Sequence, residues 1–118
     1  MPREARALLL DILRATEILE QGTRDFDLTR FRGDVWVQSA AERQLIVIGE
    51  AVRRMREFDP EMAARLSDIR SIVGFRNVLI HSYEQIDVEI VWQAIQTRIP
   101  QLRSEVGRLL SDSSPTQS

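Results

Sequence analysis

Val37, Ala41, Leu45, Ile48, Val52 and Met55 follow one another at spacings of four, four, three, four and three residues. Residues at such intervals share one face of an α-helix, so this register demands a long helix and fits no strand. Trp36, Ala40, Val47 and Ala51 make a second stripe on the same helix, and Leu45-Ile46-Val47-Ile48 is apolar on nearly every side. A helix apolar on two faces belongs at the centre of a bundle or against another subunit. Gly49 costs about 1 kcal/mol inside a helix, and close contact with a neighbouring helix is the compensation to expect there.

The same periodicity recurs on both sides of that helix. Ala5, Leu8, Leu9, Ile12, Leu13, Ala15, Ile18 and Leu19 predict a first helix from Pro2 to about Gln21, ended by Gly22. Thr23 to Gly33 reads as a polar connection with room for a helical turn. Asp34 is the expected N-cap of the long helix, which runs to about Glu57, although its start could lie as early as Leu28. Phe58-Asp59-Pro60 is a break, with Asp59 as N-cap and Pro60 opening a short helix over Glu61 to Leu66. Ser67 is expected to cap a helix beginning near Asp68, and Asp87 a last helix reaching about Leu110. Pro100 lies inside that last run and should kink it or split it in two. No strand-like alternation and no internal repeat is present. The expectation is one all-α domain over residues 1–110, an antiparallel four-helix bundle with a short extra helix, followed by a disordered Ser-rich tail over 111–118.

Composition narrows the function classes. With 43% hydrophobic residues in 118, the chain can bury one real core. No run approaches the ~18 apolar residues of a membrane span. The opening Met1-Pro2-Arg3-Glu4-Ala5 leads straight into a charged amphipathic pattern, unlike a secretory signal, so a cytoplasmic protein is the default expectation. There is no cysteine and one histidine, which removes disulfides and thiolate sites and argues against structural zinc. Net charge is −2, with 18 acidic against 16 basic residues, so any contact with nucleic acid must be local. Every one of the bases is arginine, for which a compositional habit of the source genome is sufficient explanation.

One stretch breaks the apolar logic. Gly74-Phe75-Arg76-Asn77-Val78-Leu79-Ile80-His81-Ser82-Tyr83 contains the chain's single histidine and single tyrosine. On a wheel of about 100° per residue, Ile69, Ile72, Val73, Leu79 and Ile80 fall within about 60° of Arg76, and Tyr83 within about 20°. Arg76 thus sits in the middle of an apolar stripe. An unpaired guanidinium in a dry core would cost several kcal/mol, as an order of magnitude, so Arg76 either pairs with a carboxylate or looks into a wet groove between helices. His81 lies about 140° away on the same wheel. Asn77, four residues before His81, can reach it along one face and fix its tautomer. The plain structural alternative is a core arginine and a surface histidine with no chemistry. Glu50 is expected to form exposed ion pairs with Arg53 or Arg54, worth little, rather than to join Arg76.

The run Arg76-Asn77-Val78-Leu79-Ile80-His81-Ser82-Tyr83 resembles the R-x4-H-x-Y signature of the HEPN superfamily, in particular its HepT toxin branch. Ile48-Gly49-Glu50-Ala51 is similar to the I-G-E-A of that family's long second helix. Ile72 to Asn77, the stretch Asp87 to Ile95 with Trp92, and Ile99-Pro100-Gln101-Leu102 resemble its flanks, so the likeness covers about residues 3–110. The resemblance implies a metal-independent RNA endonuclease without a cofactor. In it, the ribose 2′-hydroxyl attacks the adjacent phosphate, His81 acts as general base or acid, Arg76 stabilises phosphate charge and Asn77 orients the pair. It further implies a homodimer with the motif lining the interface cleft. It also implies a nucleotidyltransferase antitoxin of the MNT type that silences the toxin by transferring AMP to Tyr83. An imidazole with a reference pKa of about 6.5 and a guanidinium that forks onto phosphate oxygens suit this chemistry. Two other readings remain: a non-catalytic HEPN module that binds nucleotide or substrate for a nucleotidyltransferase, and a purely structural helical adaptor in which Arg76 makes a buried pair.

Overall fold

The computed structural model describes residues 1–81 and 86–112, and every regular element among them is a helix. In chain order these are α1 (Arg3–Thr23), α2 (Leu28–Arg32), α3 (Val35–Phe58), α4 (Pro60–Ala63), α5 (Ile69–His81) and α6 (Val88–Asp112). The all-α expectation holds, with four long helices and two short ones. The additional short helix, α2, is the turn for which the polar connection had room.

Local chemistry sets most of the boundaries. The Asp34 carboxylate accepts from the Val37 amide at 3.0 Å, and Asp59 from that of Met62 at 3.2 Å with Pro60 opening α4. Asp27 caps α2 in the same way, accepting from Arg30 N at 2.8 Å. Asp87 accepts from the Glu89 amide at 3.0 Å at the start of α6. These caps satisfy amides that have no helical partner. Gly22 does not end α1, which continues to Thr23, whose hydroxyl bonds back to the Leu19 carbonyl at 2.7 Å.

Ser67 behaves differently from expectation. Its amide and hydroxyl both donate to the Glu105 carboxylate of α6, so it ties the entry of α5 to another helix and does not cap it. The chain instead turns at Asp68, with φ of 57°, a left-handed conformation that Asp tolerates better than most residues. Ser67→Ala is expected to lower stability by up to about 1 kcal/mol in urea unfolding, because it removes one charge-assisted bond at an exposed site.

α3 is the axis of the molecule. The end of α1 (Ile18, Leu19, Gly22) lies beside the start of α3 (Val37, Ala40, Gln44), and its start (Glu4, Leu8) beside the end of α3 (Arg53, Glu57), so the two run antiparallel. α5 packs on α3 as well, while α6 closes against α1 and α2. Two neighbours on two sides explain the doubly apolar pattern: Ala41, Leu45, Ile48, Ala51, Val52 and Met55 are all buried. The second stripe is not covered along its whole length, since Trp36 is 87% exposed. Phe31 of α2 is fully buried against Trp92 of α6, ring centroids 5.1 Å apart.

α6 runs unbroken through Pro100, so the split expected there does not occur. Ile99 and Leu102 are both buried and hold the two halves in line. Pro100 and Gln96 are exposed, so the carbonyl that lacks an amide donor lies where water can reach it. α6 extends to Asp112, two residues into the stretch expected to be disordered; residues 113–118 lie outside the described part.

Candidate active site

The site begins with a missing side chain. A Cβ on Gly49 would stand 2.2 Å from Cβ and 2.7 Å from Cγ of Arg76, and 3.4 Å from the Ile72 carbonyl oxygen. Only glycine lets α5 come this close to α3, and the root of the Arg76 side chain lies directly over it. The cost of a helical glycine is thus offset by the seat it makes.

Arg76 is then held at both ends of its fork. Nη2 donates to Glu50 Oε2 at 2.8 Å and Nη1 to Asn77 Oδ1 at 2.8 Å. Its side chain is 20% exposed. Its Nε is buried and has no hydrogen-bond partner among the described residues. Glu50 is shared. Arg53 grips the same carboxylate, Nη2 to Oε1 at 2.8 Å and Nε to Oε2 at 3.2 Å, and is itself tied to Glu57 at 2.8 Å. The sequence-based expectation for Glu50 was half right: it pairs with Arg53 as expected, and it also pairs with Arg76. The missed signal was its place beside Gly49, because the residue next to a close helix crossing faces whatever crosses there.

Both alternatives for Arg76 hold together. It is paired with a carboxylate, and it lines an open groove whose other walls include Asp11 of α1 and Arg43, Val47, Glu50 and Arg54 of α3. Arg43, Arg54 and Arg76 give this groove a local excess of positive charge on a chain of net charge −2. On the other side of α5, Arg76 also borders a narrow apolar crevice lined by Leu45, Ile72, Phe75 and Leu79.

His81 is exposed and is the last residue of α5. Helical geometry extends to it, so within one chain Arg76 and His81 face different sides of a regular helix. Asn77 is bonded to Arg76, and no Asn77–His81 hydrogen bond occurs among the described residues. Ile80, expected in the apolar stripe, is 37% exposed. Tyr83 lies outside the described residues.

The Arg53 hydrogen bond holds the Glu50 carboxyl below the usual carboxylate range; the charges of Arg53, Arg76 and Arg54 assist, and burial opposes them. A carboxylate with a depressed folded pKa contributes stability that is present above its unfolded pKa and is lost as pH falls through the folded value. The wild-type protein is therefore expected to lose more melting temperature than Glu50→Gln on acidification from neutral pH through the carboxylate range. Thermal melts at a series of pH values measure this. Equal acid slopes would show that the pair adds nothing to stability.

A helical bundle with an arginine seated in a groove and an imidazole five residues on along the same helix is the arrangement that the resemblance to HEPN domains implies. The chain belongs to the HepT-like ribonuclease family, which it matches over residues 12–109. It is 31% identical to "Probable ribonuclease HepT" of Thermococcus cleftensis over 113 residues, 92% of this chain and 98% of that one. It is 30% identical to "Putative RNase MJ1380" of Methanocaldococcus jannaschii over 106 residues, 88% of this chain and 94% of that one. A third relative, "Putative RNase TTE0752" of Caldanaerobacter subterraneus, is 30% identical over 105 residues, 89% and 93% of the two chains. No solved structure matches significantly.

Proposed function

We propose that the protein is a cytoplasmic RNA endonuclease that works without metal or cofactor, as the toxin of a toxin–antitoxin pair. The observation that carries this reading is the seating of Arg76: a permanent cation held at the floor of a groove, with an exposed imidazole following it on α5. The ribose 2′-oxygen attacks the neighbouring phosphorus, and the bond to the 5′-oxygen breaks. One imidazole takes the proton of the 2′-hydroxyl, and a proton is returned to the departing 5′-oxygen. A 2′,3′-cyclic phosphate and a 5′-hydroxyl result. Arg76 supplies the electrostatic term by forking onto the non-bridging oxygens, and Asn77 orients it.

Arg76 and His81 diverge around α5, so one chain alone does not turn both to one phosphate. A homodimer with the two motifs across a shared cleft removes the difficulty, and relatives named as ribonucleases support the chemistry. A species of monomer mass by light scattering at micromolar concentration counts against the shared cleft.

Silencing follows from the same charge logic. A nucleotidyltransferase antitoxin transferring AMP to Tyr83 would place a phosphate and a base seven residues beyond Arg76 and close the groove to RNA by charge and volume. Incubation with that partner and ATP should add AMP at Tyr83, read by mass spectrometry; modification elsewhere with Tyr83 unchanged rules the assignment out.

Growth is the direct test of the enzyme. Expression of the wild type without its antitoxin is expected to arrest growth, whereas Arg76→Ala and His81→Ala, both folded, are tolerated. If all three are equally harmless and none cuts RNA in the presence of a chelator, the non-catalytic module becomes the better reading, which the low net charge favours.

A further inference from the structure

The groove contains an anion of its own. Glu50 Oε2 stands 2.8 Å from Arg76 Nη2, in the place that a phosphate oxygen would take on the same donor. Nη1 is occupied by Asn77, and Nε is buried without a partner among the described residues. An oxyanion engages a guanidinium through two adjacent N–H groups. Nε is shut away from solvent and each terminal nitrogen already has one N–H engaged, so a phosphate forking onto Arg76 competes with a contact already made.

Of the two contacts, the one to Glu50 is built to yield. Its carboxylate is 36% exposed and has a second holder, Arg53, through two hydrogen bonds. Arg53 is held in turn by Glu57, so the carboxylate has a fixed cation to fall back on. Asn77 has no comparable second holder for its Oδ1 among the described residues.

We propose that Glu50 is a resident competitor for the phosphate seat: its carboxylate occupies Arg76 in the empty protein, and an RNA phosphate enters by pushing it onto Arg53 alone. This deepens the ribonuclease reading and rests on it. The arrangement screens ligands by strength of negative charge. A weak single anion gains too little to release Glu50, whereas a phosphodiester in a strand, with neighbouring phosphates on Arg43 and Arg54 of the same groove, gains enough.

The test uses the full chain in a His81→Ala background, so that RNA is bound and not consumed. Fluorescence anisotropy with a short single-stranded RNA at several salt concentrations gives the readout. Adding Glu50→Gln should tighten binding about tenfold, since a like charge at contact has been removed. The slope of log K against log salt should stay the same, because the same phosphates are contacted once Glu50 has moved aside. Asp11→Asn removes the same charge from the same groove without touching Arg76, and should have a much smaller effect. Arg53→Gln should weaken binding when Glu50 is present and do so far less when Glu50 is glutamine. This second pair also decides the matter if Glu50→Gln alone lowers stability. Unchanged or weaker binding by Glu50→Gln, equal tightening by Asp11→Asn, or an Arg53→Gln effect that ignores residue 50 overturns the proposal while leaving RNA cleavage by the wild type intact. If the His81→Ala protein binds no RNA and the wild type cuts none, the ribonuclease reading falls and this proposal with it.

Discussion

His81→Ala is expected to leave RNA intact over times in which the wild type consumes it, with a rate lower by about 10²- to 10⁴-fold, the usual worth of a positioned proton-transfer group. Its melting temperature stays close to wild type, because His81 is exposed at the very end of α5 and the removed imidazole leaves no cavity. Arg76→Ala should cost activity on the order of 10²- to 10³-fold, the usual worth of one preorganised charge stabiliser. It also costs stability, since Glu50 and Asn77 both lose a partner. The two variants together test the shared cleft. Mixed, they form heterodimers in which one site draws an intact Arg76 from one subunit and an intact His81 from the other. Random pairing then restores about a quarter of wild-type activity. No recovery on mixing would place both groups of each site in a single subunit. An unaffected rate in His81→Ala would remove the imidazole from the chemistry altogether.

Gly49→Ala is expected to be as damaging as any single methyl addition in this chain. The new carbon would stand 2.2 Å from Arg76 Cβ, an atom fixed to the backbone of α5, so no side-chain rotation relieves the overlap. The helices must separate by more than 1 Å, about the excess over ordinary contact. In an exposed helix the same change would add about 1 kcal/mol. Here overpacking costs on the order of 1–3 kcal/mol and outweighs that gain. Shifting Arg76 by about 1 Å from its working position lowers the cleavage rate about 10²-fold or more. Urea unfolding and a cleavage assay on one preparation read both effects. A Gly49→Ala protein more stable than wild type and fully active would show that the two helices are free to part. Gly74 and Gly107 have open space around them, so alanine there tests that the effect belongs to Gly49 and not to glycine in general.

The helical register was legible because each long helix repeats its apolar residues at three and four. Asp34, Asp59 and Asp87 announced their helices because a short carboxylate before an apolar run has few other uses. Gly49 was legible as a close crossing, and Arg76 as a residue in need of a partner. The identity of that partner was not, because which turn of α3 lies level with Arg76 depends on the packing of two helices and not on either sequence alone. Glu50 looked like a surface acid since Arg53 and Arg54 follow it, and a local pair is always the simplest reading. Ser67 misled for a similar reason: its position before a helix suggested a cap, while Glu105, 38 residues away, had the stronger claim on it. Pro100 misled because proline rules describe an isolated helix, and α6 is clamped by the core on both sides of it.

α5 is the long helix with the fewest anchors. Val73 and Leu79 are its only buried side chains, against eight on α1 and eight on α6, and its main support is α3. Local opening free energies follow such differences. The amides of α5 should therefore exchange with deuterium well before those of α1, α3 and α6. The proposed reactive centre rides on a detachable piece of an otherwise durable scaffold, so warmth or mild denaturant should switch off the chemistry while most of the helical signal survives.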